Sequence, residues 1–106
     1  MPDESRHEIL IGLHVSNDDR YNQYRAGMTP ILTEHGGFFR YDFRVNEQLK
    51  GDEDPSINRV FILSFPDEET KTRFFENETY KAVRSDHFDS SVELVSSIAT
   101  FNHAQA

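Results

Sequence analysis

Residues 57–65 read Ile57-Asn58-Arg59-Val60-Phe61-Ile62-Leu63-Ser64-Phe65. On an extended chain Phe61, Leu63 and Phe65 fall on one side, and Val60, Ile62 and Ser64 on the other. Both sides are apolar, so the segment predicts a strand inside a sheet rather than at its edge. Working outward, Ile9, Ile11, Leu13 and Val15 alternate with Leu10, Gly12, His14 and Ser16, a second strand rich in β-branched residues. Phe39, Tyr41, Phe43 and Val45 alternate with Phe38, Arg40, Asp42 and Arg44, which predicts a third strand with one greasy face and one charged face. Val92 to Phe101 reads as a fourth.

Helical spacing fills the gaps. Tyr21, Tyr24, Met28, Ile31, Leu32 and His35 recur every three or four residues and form one helix face. Ser16 or Asn17 caps its start, where Asp18 and Asp19 suit the positive end of the helix. Pro30 predicts a kink near Gly27, and Gly36-Gly37 ends the helix with one left-handed residue. Pro66 to Glu69 opens a second helix with Asp67 as cap and Phe74 and Phe75 as anchors. Asn77 to Tyr80 reads as a stop and restart, giving a short third helix to about Arg84. Glu47–Ser56 and Ser85–Ser91 read as loops.

The order is β-α-β-β-α-β. It predicts an α+β, ferredoxin-like domain over residues 9–101, with an antiparallel sheet, both helices on one face, and flexible tails at 1–8 and 102–106. The opposite face would carry Leu10, Val60, Ile62 and Val95 bare to water. Packing two such faces together about a twofold axis hides them, so the expected partner is a second copy of the chain.

Composition narrows the function. About a quarter of the 106 residues are Leu, Ile, Val or Phe, above the roughly one-fifth below which charged chains stay disordered. The net charge of −8 argues against nucleic acid or an anionic membrane as partner, since both need a positive field. No cysteine is present, which excludes disulfides, thiolate metal sites and cysteine nucleophiles. Polar residues 1–8 and the short apolar run Ile9–Leu13 do not make a signal sequence, so a cytoplasmic protein is expected. No phosphate-binding glycine loop or nucleophile elbow occurs, and no cofactor or metal is expected.

Three segments resemble one family: Tyr24-Arg25-Ala26-Gly27-Met28-Thr29-Pro30-Ile31-Leu32-Thr33-Glu34-His35-Gly36-Gly37, then Asn58 to Asp67, then Phe74 to Lys81 followed by Arg84. They are similar to small uncharacterised bacterial proteins of the dimeric α/β-barrel superfamily, with a helix ending His-Gly-Gly and a strand ending Ser-Phe-Pro. The match spans roughly residues 9 to 95. The aromatic run Phe38–Phe43 and the last strand depart from the family pattern. The resemblance implies the ferredoxin-like fold and a homodimer. Its superfamily includes cofactor-free monooxygenases, isomerases, decarboxylases, haem-degrading enzymes and ligand-sensing domains, so it leaves the chemistry open.

Alternation puts His14, Arg40, Asp42, Arg44 and Ser64 on the face away from the helices, with Gly12 leaving space beside them. There His14 is the candidate catalytic base, or alternatively a metal or haem ligand, and the arginines can hold a carboxylate. The plainer reading of the charges is a ladder that protects an edge strand. His35 fits a helix C-cap, or the mouth of a pocket. Asp52-Glu53-Asp54 lacks the spacing of a calcium loop. The expected function is binding of a small carboxylate or aromatic metabolite between the two sheets. The alternatives are an oxygenase- or isomerase-type enzyme using His14 without a cofactor, and a purely structural dimer.

Overall fold

Apolar residues on both sides draw two strands into the middle of the sheet, β1 (Arg6–Val15) and β3 (Arg59–Phe65). They pair antiparallel, with Leu10 opposite Ile62 and Gly12 opposite Val60. β2 (Phe38–Arg44) and β4 (Val92–His103) take the edges, giving the order β2-β3-β1-β4. The computed structural model describes residues 5–104. Three helices cover one face: α1 (Asp18–Glu34), α2 (Glu68–Glu76) and α3 (Glu78–Val83). This is the ferredoxin-like α+β arrangement read from the sequence.

The core lies between sheet and helices. Ile9, Leu13, Val15, Phe61, Leu63 and Phe65 project from the strands onto Tyr21, Tyr24, Met28, Leu32, Phe74 and Tyr80. The caps fall where expected. Asn17 accepts from the Arg20 amide and Asp67 from the Thr70 amide. Asn77 accepts from the Tyr80 amide, restarting the helix as α3. Gly36 has φ +70°. The Gly36 and Gly37 amides return to Thr33 O and Leu32 O, which closes α1 with a Schellman motif.

α1 carries Pro30 inside a single helix, as expected. Three expectations are corrected. The loop expected at 85–91 begins as a π-helical turn, Arg84–Phe88, that buries Phe88 against Tyr24. Residues 6–8 and 102–103 are strand, paired Arg6 to His103 and His7 to Asn102; residues 1–4 and 105–106 of the expected tails lie outside the described residues. Val95 pairs with Leu13 and so sits on the helix side of β4, not on the bare face.

Two predictions follow from the core. A side chain at Gly36 meets both the left-handed backbone and the Pro66 ring 3.0 Å away, so Gly36→Val should cost more than about 1 kcal/mol in a denaturant titration. Unchanged stability would show that the cap needs no glycine. The Tyr24 and Tyr80 hydroxyls are bonded at 2.9 Å, and burial pushes both phenols above their ordinary range. The native state therefore holds protons that the unfolded chain releases above about pH 10. Stability from this pair is full below that pH and is lost as pH rises beyond it. Replacing both tyrosines by Phe should flatten the alkaline limb of a stability–pH profile.

Candidate functional site

The bare face of the sheet is a grid set by strand register. One row runs Phe38, Ser64, Glu8, Phe101; the next runs Tyr41, Ile62, Leu10, Ala99; the third runs Phe43, Val60, Gly12, Ser96. Two rows are mainly apolar. The first holds the polar cluster.

Its centre is Glu8, fully buried. Arg40 reaches over β3 from the edge strand, and its Nε lies 2.5 Å from Glu8 Oε2. Ser64 leaves the room for this crossing. Arg6, two residues before Glu8 on the same face, donates through Nε to Ser64 Oγ at 2.7 Å and through Nη2 to Gly36 O at 2.7 Å. Both guanidiniums lie over Phe38, at 4.6 Å for Arg6 and 5.3 Å for Arg40. His103 Nδ1 stands 3.8 Å from Glu8 Oε1. Two arginines thus stand near one carboxylate, which only Arg40 bonds. Glu8 Oε1 and Arg40 Nη2 are buried without a hydrogen-bond partner. Desolvation, then the Arg40 charge, lower the Arg6 pKa against the pull of Glu8.

Arg40 sits at a bulge in β2, between Phe39 and Tyr41. The extra residue reverses the alternation after it. Tyr41 and Phe43 turn to the bare face, half exposed and stacked at 5.8 Å. Asp42 and Arg44 turn to the helix side, which corrects their expected placement beside Arg40. Asp42 bonds Arg25 of α1 at 2.6 Å, and Arg44 lies 3.8 Å from Asp18. Hydrogen bonds to Asp42 and Tyr21 outweigh the burial of Arg25 and raise its pKa.

His14 and Arg40 are not brought together. His14 is six residues from Glu8 along β1, about 20 Å. Its Nδ1 lies 2.6 Å from Ser56 O, and its Nε2 lies 3.9 Å from Glu93. The space expected beside Gly12 is filled by Ile57, whose Cδ1 lies 2.7 Å from where a Cβ would stand. The His14 end of the face is closed by this loop, and the Glu8 end carries the charges. His35 donates to Ile31 O at 2.8 Å and packs edge-on against Phe74, the geometry of a cap. Among the described residues no cluster of His, Cys, Asp and Glu could hold a metal ion.

The polarity of residues 1–8 reads as a tail and hides Glu8 and Arg6. Their phase with Leu10, Gly12 and His14 is the signal that places them on the bare face.

A four-stranded antiparallel sheet with its helices on one face and a charged cluster on the other defines a ferredoxin-like α+β protein. Residues 9–98 match the family described as "Domain of unknown function (DUF1330)", and the chain belongs to that family. Three solved structures are similar in fold. A protein of unknown function from Rhodopseudomonas palustris shares 16% identity at TM-score 0.75, over 97% of this chain and 84% of that one. A dabb family protein with a ferredoxin-like fold from Mesorhizobium loti shares 17% at 0.59, over 96% and 98%. A hypothetical Arabidopsis thaliana protein shares 8% at 0.54, over 99% and 90%. A search of curated proteins finds no match.

Removing the Glu8 charge leaves two guanidiniums crowded on a buried row. Glu8→Gln should therefore destabilise the fold by about 3 kcal/mol or more in denaturant unfolding. Glu8→Met with Arg40→Met should recover much of that loss. A Glu8→Gln protein as stable as the parent would show that the pair carries no net energy.

Proposed function

We propose that this chain works as a homodimer joined through the bare sheet faces, and that the cleft between them binds a small organic carboxylate at the Arg6–Arg40 end. The observation that carries the reading is the cluster itself: one buried carboxylate is paired with Arg40, and a second guanidinium, Arg6, is bonded beside it to Ser64, on a face whose other rows are Leu10, Ile62, Val60, Tyr41 and Phe43. Inside a dimer that surplus positive charge would be desolvated further, and an anionic ligand compensates it. Phe38 and Phe101 flank the row and suit an aromatic or aliphatic body attached to the carboxylate.

The shape supports the dimer. The domain is a slab of 44 × 32 × 17 Å. Its radius of gyration is 14.2 Å, above the ~13 Å of a rounded domain of this length. A second sheet restores the missing half of the core. Binding is favoured over catalysis by His14, because its Nδ1 is engaged by the Ser56 carbonyl and it stands at the other end of the face.

Sedimentation equilibrium at micromolar concentration should return twice the chain mass, and Ile62→Asp should give a monomer or an unfolded chain. Benzoate should raise the melting temperature, while benzamide, the uncharged isostere, should not. Arg6→Met should lose the benzoate response. A stable monomer overturns the dimer. Equal responses to benzoate and benzamide overturn the anionic ligand and leave a structural dimer.

A further inference from the structure

On the helix side of the sheet, at the end away from Glu8, a second group of arginines stands apart from the site above. Arg44 and Arg59 pair across β2 and β3, and both face the first turn of α1. They line a cavity of about 250 Å³ together with Asp18, Asn46 and Asn58. A neighbouring depression of about 200 Å³ is lined by the same two arginines with Asp42 and Phe43.

Arg59 is the informative residue. Its side chain is 12% exposed, and its guanidinium is stacked over the Tyr21 ring at 4.8 Å. Yet its Nη1, buried, makes no hydrogen bond. Asp18 Oδ1 stands 3.8 Å away, and Arg44 Nη1 stands 3.8 Å from Asp18 Oδ2. At that separation the carboxylate is attracted but bonded to neither. Two other arginines close on their carboxylates, Arg25 on Asp42 at 2.6 Å and Arg40 on Glu8 at 2.5 Å; the exposed Arg73 and Arg84 stand off theirs at 3.7 and 3.8 Å, but Arg59 does so while buried. Arg59 is held in place, charged and unsatisfied.

We infer that this cavity binds a small oxyanion, a phosphate or carboxylate group, between Arg59 and Arg44, and that Asp18 is its internal competitor. The guanidinium fork of Arg59 matches two oxygens of such a group. Tyr21 fixes the plane of the fork. The Asn58 side chain, bonded to both the N–H and the C=O of Val15 at 2.8 and 2.9 Å, fixes the adjoining wall. Asp18 is 59% exposed, so its side chain can swing into water when an external anion arrives. Asp42 adds little repulsion because Arg25 already neutralises it. With Asp18 turned out, two positive charges face the cavity in a protein whose net charge is −8.

The test titrates inorganic phosphate and, separately, malonate into the intact protein at low salt, reading amide and guanidinium shifts by NMR. Shifts at Arg59 and Arg44 are expected, and the stronger of the two probes identifies the oxyanion class. Asp18→Asn removes the competitor and should tighten binding by about threefold to tenfold, while Arg59→Met should weaken it by at least about tenfold. The Arg59 and Arg44 shifts, read apart from those of Arg6 and Arg40, separate this site from the one on the bare face, and Arg73→Met on α2, outside both sites, should leave them unchanged. If Arg59→Met does not fold, the wild-type Arg59 signal decides: no shift with either anion overturns the inference. Asp18→Asn binding no tighter than the parent overturns the role of Asp18.

Discussion

The arrangement of the bare face depends on one contact, the ion pair that Arg40 makes with Glu8 across β3. A guanidinium on an edge strand spans two strand spacings to reach a central strand, and it does so over Ser64, a residue small enough to pass beneath it. Arg40 is the extra residue of the bulge in β2. With regular alternation Tyr41 and Phe43 would face the helices, and Asp42 and Arg44 would stand on the open face. The bulge exchanges them. It places two stacked aromatics on the surface that seeks a partner, and it gives Asp42 to Arg25 and Arg44 to Asp18 on α1. One extra residue thus sorts the charges of β2 between two sides of the sheet.

The same pair explains why charge is tolerated where the fold would otherwise want hydrocarbon. Removing a carboxylate from water is costly, and Glu8 is fully buried. Arg40 answers it directly. Arg6 adds a second cation and anchors it on Ser64 and on the carbonyl of Gly36, the residue that ends α1. The cluster therefore joins β1, β2, β3 and the α1 terminus at one corner. At the opposite corner Ile57 seals Gly12 and the Ser56 carbonyl holds His14. A face that looks uniform in a hydropathy pattern has a closed apolar end and a charged end.

Most of the fold was legible because it rests on periodicity. The two-sided apolar run 60–65 put β3 inside the sheet, and the cap residues Asn17, Gly36, Asp67 and Asn77 marked the helix ends. The site was legible only in part. Arg40 and Ser64 do stand on the bare face, but Asp42, Arg44 and Val95 do not. A bulge without glycine leaves no trace in the residues Phe39-Arg40-Tyr41, and each strand read past a bulge is read in the wrong phase. Glu8 and Arg6 were missed for another reason. Local polarity suggested a tail, whereas long-range pairing with Ser64, Phe101 and His103 makes them strand. That Ile57 would fold over Gly12 depends on the path of the loop before β3, which no local pattern encodes.

The ladder between β1 and β4 joins the first strand of the domain to the last, residue 6 to residue 103. Contacts of such sequence separation are slow to form, because nearly the whole chain must be gathered before they are made. During synthesis β1 can find β3 early, but its other edge has no neighbour until residues 92–103 have left the ribosome. Until then, Ile9, Ile11 and Leu13 sit on a strand with an open edge, the kind that recruits strands from other chains. Completion of the sheet waits for β4, and a chain that lacks residues 92–103 would keep its central strand as an edge.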